Sequence, residues 1–124
     1  MQKRFLPLVV AAFVFSPFFT SLGFGEDGKA AWYSDHLHGR KTASGEVYDK
    51  TKLTAAHHNL AFGTEVKVTI VDSEKSVVVK INDRCKMHKG RIIDLSRAAA
   101  EEIGLVKLGV ADVTLEILKK PDDS

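Results

Sequence analysis

The chain has 124 residues, 44% hydrophobic and 27% charged, with 18 Lys and Arg against 16 Asp and Glu. That balance suits one compact domain and excludes a collagen-like, low-complexity or extensively disordered chain. Lys3 and Arg4 lie in an N-terminal segment without acids, and without it the basic and acidic residues are equal in number. The remainder is therefore a poor candidate for a phosphate-tracking nucleic-acid binder.

Gln2-Lys3-Arg4 make a short positive start, Phe5 to Leu22 run apolar, and Gly23 and Gly25 flank Phe24. This pattern predicts a secretory signal peptide over residues 1–25, leaving an exported domain over 26–124 in the periplasm or cell envelope. Pro7, Pro17 and the lack of a positive flank after Leu22 count against a membrane anchor. No Cys stands at the end of the apolar run, so no lipid anchor is expected. Cys85 is the single cysteine, which excludes an intramolecular disulfide and leaves a free thiol or a small apolar filler.

Glu26 to Lys29 read as a polar leader, and Ala30-Ala31-Trp32-Tyr33 as the opening of a first strand. Asp35 to Glu46, with two His, two Gly, Ser and Thr, reads as a long surface loop. Thr64 to Val71 alternates, with Val66, Val68 and Ile70 on one face and Glu65, Lys67 and Thr69 on the other. Asp72 to Lys75 turns into Ser76 to Ile81, which predicts a hairpin. Asn82 to Gly90 form a polar loop, and Ile92-Ile93 mark a short strand. Ser96 is a candidate N-cap for a helix running through Ala98-Ala99-Ala100 to a C-terminal Gly104. Asp94, two positions before that cap, reads as a residue of loop geometry. In the final strand, Val113, Leu115 and Ile117 alternate with Asp112, Thr114 and Glu116. The segments after Gly63 and Gly109 echo one another, as two halves of a small closed barrel would.

Five loop motifs occur in order: His38-Gly39-Arg40-Lys41-Thr42-Ala43-Ser44-Gly45-Glu46, Leu53-Thr54-Ala55-Ala56-His57, Leu60-Ala61-Phe62-Gly63-Thr64, Val79-Lys80-Ile81-Asn82-Asp83-Arg84 and Gly90-Arg91-Ile92-Ile93-Asp94-Leu95-Ser96. Together they resemble the rare lipoprotein A family over roughly Gly28 to Leu118. The resemblance implies a mainly β fold, a six-stranded double-psi β-barrel with one short α-helix. It also implies an endolytic peptidoglycan lytic transglycosylase, a lyase that cleaves the β-1,4 bond from N-acetylmuramic acid to N-acetylglucosamine. The muramyl C6 hydroxyl attacks its own anomeric carbon and leaves a 1,6-anhydro end. The family's functional positions fall on Glu46, His57 and Asp83.

Such a reaction needs a proton donor at the glycosidic oxygen that can later accept the C6 hydroxyl proton. Asp83 is the expected donor and acceptor, Glu46 the nearby charge that raises its proton affinity, and His57 a group that orients a carboxylate or binds sugar. Trp32, Tyr33, Arg84 and Arg91 are expected substrate contacts. Each has a plainer reading: surface acids are usually solvated, and an aromatic pair at a strand start is usually core. His36, His38, His57 and His58 lack the tight spacing of a metal site, and no metal or cofactor is expected. The family's Asn-Asp-Arg is usually followed by Gly-Pro, where this chain has Cys85-Lys86. The expected partners are peptidoglycan glycan strands, without nucleic acid, and the chain is expected to be a monomer. The alternative is a non-catalytic, expansin-like glycan-binding module using the same groove; a barwin-like inhibitor is a third reading.

Overall fold

A computed structural model describes residues 25–121, so the expected signal peptide lies outside the described residues except for Gly25. Six strands form the domain: β1 (Gly25–Trp32), β2 (Thr54–His57), β3 (Glu65–Ile70), β4 (Ser76–Asp83), β5 (Arg91–Leu95) and β6 (Ala111–Lys119). They close into a barrel in the order β1-β5-β2-β4-β3-β6. Pairs β1–β5 and β2–β4 are parallel, and the other four are antiparallel. Exchanging β1 with β4, β2 with β5 and β3 with β6 reproduces every pairing, which is the pseudo-twofold echo expected from the sequence. This is the double-psi barrel, and closure leaves no sheet edge unpaired.

The alternating segments become the barrel wall. Val66, Val68, Ile70, Val113 and Leu115 share one core cluster with Val77, Val79, Ile81 and Ile93. Ile117 is also buried but packs toward one end of the barrel, beside Leu60 and Pro121. Ser96 caps α1 (Arg97–Glu102), its Oγ accepting from Ala99 N at 3.2 Å, and Gly104 takes a left-handed φ of 78°.

Three local expectations are corrected. Glu26 to Lys29 are not a leader but half of β1, paired with β6 from Gly25↔Glu116 to Ala30↔Ala111. Their residues are poor strand formers, and it is the tertiary pairing that holds them extended. A second helix of one turn, α2 (Leu105–Leu108), follows the single one expected, anchored by the fully buried Leu105. The Thr54-Ala55-Ala56-His57 stretch, which carries no period-2 pattern, is a strand buried at all four positions. A strand covered on both faces loses alternation as a signal.

Three strand pairings carry an interruption of register, and two of these shape the outer surface. Ala55 pairs with Ile81 but Ala56 pairs with Asp83, so Asn82 is an extra residue in β4. Lys29 pairs with Arg91 but Ala30 pairs with Ile93, so Ile92 is an extra residue in β5. Each bulge buries two consecutive residues and re-aims the next side chains along the strand. Gly28 makes room for the bulged Ile92, since a Cβ there would lie 2.8 Å from two of its side-chain carbons.

Replacing Val68, which is 0% exposed, by Asp buries an unpaired charge. The cost is on the order of 5 kcal/mol, comparable with the whole stability of a small domain. A thermal melt of Val68→Asp should show no cooperative transition.

Candidate active site

The barrel places a row of four residues across four neighbouring strands. Ala31 pairs with Asp94, Asp94 with Ala56, and Ala56 with Asp83. Directly paired residues project to the same face of a sheet, and all four line one open cleft together with Trp32, Tyr33, Arg84 and Arg91. The two alanines form a low floor, and the two half-buried carboxyls rise from it.

Asp83 is held rigidly. Its Oδ2 accepts from the Tyr33 hydroxyl at 2.5 Å, and its Oδ1 accepts from the backbone N–H of Ala43 at 2.9 Å and of Arg84 at 2.8 Å. Burial, then the bond to Asp83, pushes the Tyr33 hydroxyl far above the ordinary tyrosine range, so it stays a donor. Tyr33 is itself stacked on the buried Tyr48 at 4.3 Å between ring centroids, and the Tyr48 hydroxyl accepts from Arg97 N–H at 3.0 Å. Three donors fix the orientation of this one carboxyl group. Asp94 has no comparable set of donors among the described residues. Burial raises its pKa above the ordinary aspartate value; Arg91 opposes this and the charge of Asp83 adds to it.

Of the residues expected from sequence, Asp83, Trp32, Tyr33, Arg84 and Arg91 meet in this cleft. Arg84 lies over the Phe62 ring at 4.1 Å. Glu46 lines a separate depression with Asp49, Lys52 and Lys80. Its Oε1 accepts from the side-chain amide of Asn82 at 3.0 Å, and Ser44 N–H donates to the Asn82 carbonyl at 3.3 Å. The Ser44-Gly45-Glu46 loop therefore clamps the bulged residue next to Asp83. The carboxylate sharing the Asp83 cleft is Asp94, a strand residue of the site and not the loop element its sequence position suggests.

His57 is 0% exposed and bonds neither acid of the cleft. Its Nδ1 accepts from the N–H groups of Asn59 and Leu60, both at 3.2 Å, so Nε2 carries the proton and donates to Glu26 Oε1 at 2.9 Å. Glu26, His57 and His58 present ligand-type atoms within 4.8 Å of one another. A cation there would need the Nε2 lone pair, which the proton occupies while both backbone donors hold Nδ1. The donor set does not fit a metal. His36 and His38 are engaged locally, with Ser34 Oγ at 2.7 Å and Lys50 N at 3.1 Å.

Cys85 stands where the resembled family usually has Gly, yet Glu74 and Lys89 are the non-glycine residues with positive φ among those described. The backbone there needs no glycine. The Cys85 Sγ donates to Ala56 O at 3.5 Å under the cleft floor, and burial followed by Asp94 and Asp83 pushes the thiol up to about 11.

Fold and cleft together define a double-psi β-barrel protein with a paired-carboxyl groove. The chain belongs to the lytic transglycolase family, whose profile matches residues 25–115. It is 52% identical over 96 residues to the endolytic peptidoglycan transglycosylase RlpA of Vibrio cholerae, a match covering 77% of this chain and 36% of that protein. The chain spans 29–41% of the length of the curated relatives it matches. Among solved structures, the Streptomyces papain inhibitor superposes with TM-score 0.63 at 22% identity, covering 78% of this chain and 96% of that one. An expansin from Clavibacter michiganensis in complex with cellohexaose gives TM-score 0.60 at 20% identity, covering 82% and 54%. At these identities the two structures share the fold.

Burial lowers the His57 pKa below its ordinary 6.5, against the raising effect of Glu26. As pH falls through 6.5, the unfolded chain takes up this proton and the folded chain resists it. The stabilisation is complete above that pH and declines below it, by at most about 1.4 kcal/mol per pH unit. Thermal melts should drop in this window, and His57→Gln should lose that part of the slope while melting lower throughout.

Proposed function

We propose that this chain is an exported peptidoglycan lytic transglycosylase acting on glycan strands in the cell envelope. It cleaves the β-1,4 bond between N-acetylmuramic acid and N-acetylglucosamine and leaves 1,6-anhydromuramyl ends. The observation that carries this reading is Asp83, an oriented carboxylate at the centre of an open cleft in a barrel of this family. An open groove admits an internal segment of a polymer, as an endolytic cut requires. The positive charge that develops at the anomeric carbon as the bond breaks is stabilised by a fixed anion that needs no reorganisation. Trp32 and Tyr33 offer apolar faces to sugar rings, and Arg84 and Arg91 offer donors to hydroxyl, acetamido and lactyl oxygens.

Glu46 and His57 act as positioning residues in this reading. Glu46 holds the Asn82 bulge that aims Asp83. His57 organises the turn after β2, and its carbonyl accepts from Arg84 Nη1 at 3.4 Å.

Digestion of purified sacculi, with mass analysis of the soluble ends, tests the proposal. Anhydromuramyl products are expected; reducing ends would show attack by water, and binding without products would favour the glycan-binding module. Asp83→Asn should bind glycan and cleave it about 10²–10³-fold more slowly, the loss typical of a removed electrostatic stabiliser. Glu46→Gln, which keeps an oxygen acceptor for Asn82, should retain most of the turnover that Glu46→Ala loses.

A further inference from the structure

The fixed geometry of Asp83 leaves the proton transfers of this reaction without an agent. A carboxylate already accepting from Tyr33, Ala43 and Arg84 has its oxygens occupied by donors. Those bonds hold it in place to stabilise positive charge, and leave it badly placed to hand a proton to the substrate and take one back. The other carboxyl of the cleft, Asp94, is placed differently. Asp83 and Asp94 are both register partners of Ala56, one on each side of β2. Two strand spacings put their Cα atoms roughly 9–10 Å apart, with the Ala56 methyl on the strand between them. A glycosidic linkage lying over Ala56 would have one acid on each side.

We propose that Asp94 is the proton-carrying catalytic residue of this cleft and Asp83 the fixed, hydrogen-bonded carboxylate beside it. This assignment rests on the transglycosylase reading above. In the first half of the reaction the Asp94 carboxyl gives its proton to the glycosidic oxygen as the bond from the anomeric carbon to that oxygen breaks. The resulting Asp94 carboxylate then takes the proton of the C6 hydroxyl as the C6 oxygen bonds to the anomeric carbon. Asp94 ends protonated, as it began, and no water is consumed. The groups facing Asp94 are consistent with this cycle: Asp83 across β2 and burial favour the protonated form, Arg91 on its own strand tempers them, and Tyr33 and Cys85 stay neutral.

An activated substrate separates the two roles. In a 2,4-dinitrophenyl glycoside of the N-acetylglucosaminyl-N-acetylmuramic acid disaccharide, the leaving group departs without a proton. Asp94→Asn should cleave sacculi about 10²–10⁴-fold more slowly than the native chain, yet release the first equivalent of dinitrophenol, measured in a single turnover, with a loss of less than about tenfold. Asp83→Asn should lose on both substrates. With the native chain, the rate on sacculi should fall as pH rises through the titration of Asp94, and the dinitrophenyl rate should lack that limb. Equal losses of Asp94→Asn on both substrates, or full activity on sacculi, would overturn the assignment. If Asp94→Asn fails to fold in a thermal melt, the native pH profiles decide: the same high-pH decline on both substrates overturns it. A native chain that releases no product from either substrate overturns the transglycosylase reading itself, and the assignment with it.

Discussion

The cleft depends on one short strand being held between two others. β2 has four residues, all buried, and it hydrogen-bonds to β4 on one side and β5 on the other. Because side chains alternate, a slip of one residue in either pairing would turn Asp83 or Asp94 into the barrel core. The cost of burying an unpaired carboxylate makes that slip prohibitive. The same constraint acts in reverse, since the core residues Ala55 and Ile81 pair directly and lock the register in place.

The bulges convert this register into a site. In a regular ladder without the bulge, Ala56 would face Asn82 and Asp83 would lie one step further along, out of line with Asp94. The loop ending in Glu46 supplies the partners that an extra strand residue otherwise lacks, one to the Asn82 side chain and one to its carbonyl. Ala43 in the same loop donates to Asp83 directly. A surface loop, a bulge and a carboxylate thus form one hydrogen-bonded unit. Through this unit Glu46 is linked to Asp83 from outside the cleft.

The two cleft acids sit in opposite environments. Asp83 accepts from three donors, whereas Asp94 is half-buried without such a set, and burial raises its pKa. Pairs of carboxyls whose surroundings push their proton affinities apart are the general means by which one site does acid and base work near neutral pH. The neighbouring thiol and phenol, Cys85 and Tyr33, are kept neutral by burial first and by the adjoining carboxyl groups second.

Period-2 alternation by itself determined the walls of the barrel, because a face turned to the core must repeat every second residue. The Ser96 cap and Gly104 stop of α1 were equally legible, being local hydrogen-bond and φ requirements. The ordered motifs also contained Asp83, Arg84 and Arg91, and Tyr33 stood out as one of an aromatic pair at the start of the first strand. Tertiary structure alone decided which of these groups meet. Residues 83 and 94 become neighbours only through their common partner Ala56, a contact with no sequence periodicity. His57 reads as a site residue in the motif, yet its side chain is spent on Glu26 and two backbone N–H groups. Glu26 to Lys29 look like a polar lead-in because nothing local favours a strand there. Their conformation comes from β6, more than eighty residues away in the chain, and long-range pairing of that kind leaves no local pattern to read.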